Sequence, residues 1–225
     1  MNINPLELLL AIDWAEIGVA TLETLTMVGG SLLFTVILGL PLGIVLFLTG
    51  PRQPLAQPRL YSALSLLVNL LRSMPFVILL ILMIPVTVAL VGTSIGVAGA
   101  IPPLVVGATP FFARLVENVL REVDRGIIEA SQAMGASLPQ IIFGAVLPEA
   151  FPGLLAATTV TAIALVSYAA MSGVIGGGGL GDLAIRFGYQ RFQTDVMFVT
   201  VAVLLVLVQL LQAFGDRLVQ RFTRS

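Results

Sequence analysis

The sequence predicts an all-α, polytopic membrane protein with five transmembrane helices, and three observations carry that reading. Hydrophobic residues make up 58% of the 225, charged residues only 10%, and the mean hydropathy is +1.06, against about 25% charged in an ordinary soluble domain. The charges are clustered and leave uncharged runs, each long enough to cross a hydrocarbon core of about 30 Å, which takes roughly 20 helical residues. Several such spans leave no room for a soluble domain of about 100 residues.

The opening stretch MNINPLELLLAIDWAEIG lacks the positive n-region of a cleaved signal and carries Glu7, Asp13 and Glu16, so it is expected to be retained. Leu6 to Ile17 reads either as an amphipathic segment on the membrane surface or as a short ordered tail. Between Glu23 and Arg52 lie 28 uncharged residues, one span over about 24–49, with Gly39, Pro41 and Gly43 placed to bend it. After the polar loop PRQPLAQPRL, Arg72 and Arg114 enclose 41 uncharged residues. As one helix these would run about 60 Å, twice the membrane thickness. They predict two spans, 73–91 and 97–116, turned at Gly92-Thr93-Ser94-Ile95-Gly96. Tyr61 to Leu71 reads as an extension of the second span or as an interfacial helix leading into it. The run Ala150 to Gly181 holds a fourth span, about 154–175, and a glycine-rich exit, and Asp195 and Asp216 enclose a fifth, 196–215. Nine of the eleven arginines fall in the loops 50–72 and 114–149 and the tail 216–225; Arg186 and Arg191 lie in the 182–195 loop. The positive-inside rule then places the N-terminus outside and the C-terminus in the cytoplasm.

Composition also excludes functions. There is no Lys, so no phosphate-binding Walker loop is present and no ATP is bound by this chain. There is no His and no Cys, which removes His-based proton relays, Ser-His or Cys-His nucleophiles, the usual zinc sites and disulfides. No catalytic residue, metal ligand or cofactor is expected. A net charge of −1 says nothing either way about nucleic acid, and no nucleic-acid partner is expected.

One long polar-containing segment, about 124–149 with the sequence DRGIIEASQAMGASLPQIIFGAVLPE, sits between the apolar runs. Asp124 is placed to cap a short helix from Ile127 to Met134, and Gly135 to end it in a left-handed conformation. Ser137, Pro139 and Gln140 restart a second helix with a capping-box pattern, expected to end at Pro148. Small residues (Ala130, Ser131, Ala133, Ala136) with Ile127 and Met134 as larger apolar contacts suit a knob that enters a groove on another protein.

Glu129-Ala130-Ser131, then Gly135, then Leu147-Pro148 resemble the EAA loop of ABC-importer permeases, with Ser131 in the second Ala position. The similarity continues through Ser167 to Phe192 and on to the C-terminus, where it is greatest to the methionine-importer permeases. The resemblance implies that 1–225 is a single permease domain of the bacterial cytoplasmic (inner) membrane. It implies a homodimer that carries two cytoplasmic ATPase subunits on its coupling loops, at Glu129, Ala130, Ser131, Gly135, Leu147 and Pro148. An external binding protein would deliver an amino acid, methionine foremost, and the partner subunits would bind ATP.

Other candidates have two readings each. Gly176, Gly177, Gly178 and Gly179 are a candidate hinge or a plain flexible loop; their formal GxGxxG match lacks the strand a dinucleotide site needs. Met171, with Tyr168 and Ser172, is a candidate gate of the pathway, or else a methionine filling a packing gap. Arg72 is an intramembrane charge or a snorkelling edge anchor. Glu149 is expected at the interface, where an arginine of the loop could pair with it. The competing class, an ion-coupled secondary transporter or channel, is disfavoured because the spans are expected to hold no buried Asp, Glu or His.

Overall fold

The structure, a computed structural model, describes residues 13–223, and every regular element in them is helical. Helix α1 (Trp14–Thr49) begins where the Asp13 carboxylate accepts from the backbone N–H groups of Ala15 and Glu16, at 3.0 and 3.2 Å, as an N-cap does. It therefore starts well before the expected position 24 and absorbs Glu16 and Glu23. Of the segment Leu6 to Ile17, residues 14–17 belong to this helix, and 6–12 lie outside the described residues.

Helices α2 (Pro58–Ser73) and α3 (Phe76–Val91) are separated by Met74 and Pro75, both in extended conformations. A residue before proline is driven out of the helical region, so α2 is a helix of its own and not a straight extension of α3. At 16 residues α3 reaches only about 24 Å. Among the described residues four helices are each long and apolar enough to cross a membrane, and α2 with α3 is so only as a broken pair, giving up to five spans. Gly92 (φ 80) closes α3 and Gly96 (φ 71) opens α4 (Gly96–Glu122), so the turn falls where expected. However, α4 does not stop near 116. It continues to Glu122 with Arg114, Glu117 and Arg121 inside it.

Helix α5 (Arg125–Ala133) and the single turn α6 (Leu138–Ile141) form the polar loop. The expected end at Pro148 is corrected: α6 runs on through a π-helical turn, Ile142–Val146, into α7 (Leu147–Ser172). Proline removes a hydrogen bond and its ring crowds the carbonyl four residues back. The wider π turn just ahead of Pro148 takes up that misfit, and the helix survives. A 3₁₀ turn (Gly173–Ile175), the short α8 (Gly179–Leu183), a π turn (Ala184–Tyr189) and α9 (Thr194–Thr223) complete the chain. The apolar window of α9 is only 11% buried, so nearly all of its surface is left to lipid or to another subunit.

The chain divides into two compact units. One takes in the chain up to Ser31, Pro75–Val105 and Ala162–Leu210; the other takes in Leu32–Met74, Val106–Thr161 and the chain from Leu211. The first has a core of Ile17, Ala20, Leu180 and Leu183, with Phe187, Val196 and Val199 against it. The second has a larger core in which Phe47, Phe112, Val116, Leu120 and Val123 meet Ile128, Ile141, Ile142 and Val146 of the polar loop. Gly39 and Gly43 serve this second core by letting α1 close on α4. A Cβ at Gly43 would stand 2.6 Å from Val116 Cβ and 2.7 Å from the Ala113 carbonyl oxygen, with backbone on one side and a β-branched side chain on the other. Gly43→Ala is therefore expected to cost about 1–3 kcal/mol by overpacking, read as a lower thermal midpoint of the purified protein. Gly29→Ala, which meets nothing within 4 Å, should leave the midpoint unchanged.

Candidate functional site

The polar loop is built from its own capping chemistry. The Asp124 carboxylate accepts from Gly126 N–H at 2.7 Å and starts α5 at Arg125, slightly ahead of the expected Ile127. At the other end, Gly135 N–H donates to the Gln132 carbonyl at 2.9 Å and Ala136 N–H to the Ser131 carbonyl at 3.0 Å, with Gly135 at φ +77. That pair of bonds about a left-handed residue is a Schellman closure, and a side chain at Gly135 would be strained. Gln140 Oε1 accepts from the Ser137 N–H at 2.8 Å, the return half of the expected capping box.

The two faces of α5 differ. Ile128 is buried, and Ile127, Ala136 and Leu138 pack against the same core, so Ile127 is not the outward contact its apolarity suggested. Outward lie Glu129, Ala130, Gln132, Ala133 and Met134, the last 80% exposed. Ser131 is half-buried, and its hydroxyl donates to the Ile127 carbonyl at 2.7 Å, an ordinary back-bond within the helix. Leu147 packs on the core while Pro148 is exposed. Glu129 makes no ion pair with any described residue and borders a groove of about 220 Å³ lined also by Arg52, Gln53, Pro54, Arg125, Ile128 and Gln132. Arg125 closes one end of that groove by donating to the Arg52 carbonyl at 3.0 Å. Glu149 likewise has no arginine partner among the described residues.

The structure corrects the expectation that the spans hold no buried acid. Glu117 in α4 is 1% exposed, with Arg114 and Arg121 each 2.6 Å from its carboxylate. The spacing i−3 and i+4 was visible in the sequence, but treating each charge as a boundary places all three in a loop. A second acid in a long helix, Glu23, accepts from Gly179 N–H at 2.7 Å, and its neighbour Thr24 Oγ1 accepts from Leu180 N–H at 2.9 Å. The two side chains cap the first turn of α8 from outside.

Gly176, Gly178 and Gly179 have φ of 76, 80 and 74, and Gly177 lies against Ser172. The gate candidates face different ways. Tyr168 stacks on Phe76 with centroids 4.4 Å apart, Ser172 is fully buried and donates to the Ala169 carbonyl at 2.7 Å, and Met171 alone of the three is largely exposed, at 43%. Arg72, in the last turn of α2, is exposed with its guanidinium over the Phe111 ring.

The family model for binding-protein-dependent transport system inner membrane components matches residues 39–224. The chain belongs to this family. It is 47% identical over 221 residues to the probable D-methionine transport system permease protein MetI of Vibrio cholerae, covering 98% of each chain. It is 47% identical over 205 residues to the methionine import system permease protein MetP of Bacillus subtilis, covering 91% of this chain and 92% of that one. Among solved structures, an inward-facing conformation of the MetNI methionine ABC transporter superposes with TM-score 0.91 at 47% identity, covering 93% of this chain and 97% of that chain. The family is one of transport components of the inner membrane rather than of enzymes.

Loss of the outside cap on α8 is directly observable. Glu23→Ala should speed amide exchange at Gly179 and Leu180 by about fivefold, the factor for a lost cap of ~1 kcal/mol, while exchange in α5 stays at its wild-type rate.

Proposed function

We propose that this chain is the permease subunit of an ATP-driven importer of methionine, working as a homodimer with α5 of each copy docked on a cytoplasmic ATPase subunit and an external binding protein delivering the substrate. The observation that carries this reading is the self-capped loop. Its buried face is fixed to α1, α4 and α7, and its outward face presents a carboxylate with no ion pair among the described residues, small side chains and one exposed methionine. Such a surface is shaped to be gripped and moved. The naming of the relatives as methionine permeases supports the substrate. Arginine distribution supports a cytoplasmic loop and C-terminus with the N-terminus outside. ATP binds to the partner, and closure of the two ATPases would draw the loops together and turn the pathway from inward-facing to outward-facing.

Glu117 is the one observation on the side of an ion-coupled transporter, and its two guanidinium partners leave it no place for a cation. Within the pathway, Met171 is the gate residue of this proposal, with the Gly176 to Gly179 segment as its hinge, because Met171 is exposed on its own chain and so open to a second copy.

Gly135→Val tests the coupling reading. A β-branched side chain at φ +77 should distort the closure of α5, leaving membrane insertion intact while abolishing methionine uptake and weakening ATPase co-purification. Glu129→Ala should act in the same direction more mildly, and normal uptake in both variants would sink the proposal. For the gate, Met171→Ala should raise ATP-independent leak in proteoliposomes with assembly unchanged. Loss of expression without leak would make Met171 a packing residue.

A further inference from the structure

Glu117 and its arginines form a network that nothing above uses. Helix α4 works on two faces in its second half. Phe112, Val116 and Leu120, at i, i+4 and i+8, pack into the core that holds the docking loop through Ile128, Ile141 and Ile142. Arg114, Glu117 and Arg121, at i, i+3 and i+7, form a second stripe. Arg114 donates to Glu117, to Ser65 Oγ at 2.7 Å and to Asn69 Oδ1 at 3.0 Å; Arg121 pairs with Glu117 and donates to Tyr61 Oη at 3.0 Å. Tyr61, Ser65 and Asn69 lie at i, i+4 and i+8 on α2, so one whole face of α2 is addressed by two guanidinium groups that a single buried carboxylate holds in place.

We propose that this network is the mechanical link from the docking loop to α2, with Glu117 as its positioning residue. The inference rests on the coupling reading of α5. The apolar contact that also joins these helices, Val68 of α2 and Ala113 of α4 packed with Leu46 of α1, is non-directional and tolerates sliding. A guanidinium fork does not: it is planar, and its donors match acceptors at fixed positions. Shifting α2 by one residue against α4 would carry Ser65, Asn69 and Tyr61 out of register with the two arginines, which Glu117 holds where they are. Displacement of α5 therefore reaches α4 through the core and α2 through the polar stripe. The three elements move as one.

The decisive variant strips the side-chain acceptors from α2, leaving Arg114 only the Ser65 carbonyl at 3.4 Å and Arg121 only the ring at position 61, and keeps the buried charge paired. Tyr61→Phe, Ser65→Ala and Asn69→Ala combined remove the side-chain acceptors on α2, while Arg114 and Arg121 keep Glu117. In proteoliposomes with the ATPase partner, methionine taken up per ATP hydrolysed should fall several-fold, with thermal midpoint and ATPase co-purification at wild-type values. A purely structural ion triad would not produce that split. Glu117→Gln should lower the same ratio and the thermal midpoint together. Gly135→Val serves as the control in the same assay. If it uncouples while the α2 variant transports at the wild-type ratio, the link is refuted and the docking reading stands. If Gly135→Val also couples normally, both fall.

Discussion

A carboxylate shut away from water keeps its charge only if the protein supplies the partners that water would have supplied, and the placement of Glu117 between Arg114 and Arg121 settles much of what surrounds it. With both arginines held, the polar side of α2 must turn towards α4, and its leucines Leu66, Leu67 and Leu70 turn outward. That reverses the amphipathic pattern of a helix on a soluble protein and suits one bathed in lipid. The opposite side of α4 is then free to be apolar throughout, and there the polar loop finds its core. Buried ion pairs are a poor source of net stability and a better source of register. Register is what a subunit needs if it is pushed on at one loop.

The other unit meets the same constraint differently. Among the described residues no arginine pairs with the Glu23 carboxylate. It is answered by the backbone N–H of Gly179, beside Thr24 on Leu180, at the start of a five-residue helix. The segment so held lies a few residues past the end of α7, which carries Tyr168 and Met171, and glycines at Gly173 and Gly181 allow backbone to lie against backbone there. One acid therefore orders side chains into a rigid stripe, while the other orders a stretch of main chain.

What was legible in the sequence was local. Asp124, Gly135, Ser137 and Gln140 announce the ends of the loop helices through chemistry confined to a few residues, and the structure places each cap within a residue or two of its expected position. The turn at Gly92 to Gly96 is of the same kind. What stayed hidden depended on partners far along the chain. Arg114 marks the edge of a span only if it lacks Glu117, Ser65 and Asn69; with them it belongs inside the helix. Pro148 ends a helix unless the preceding turn widens, and nothing in IIFGAV signals a π turn. Ile127 could face either way until the neighbouring core is known.

The closure of α5 on itself bears on timing as well as shape. Its N–H and carbonyl groups are satisfied by Asp124 and by the bonds around Gly135 before any other protein arrives. A segment left to fold on contact would spend part of the contact energy on its own ordering. Here that disorder was given up when the chain folded, so a partner docking as proposed would meet a finished surface, and a force it applied to the loop would not be dissipated in ordering it.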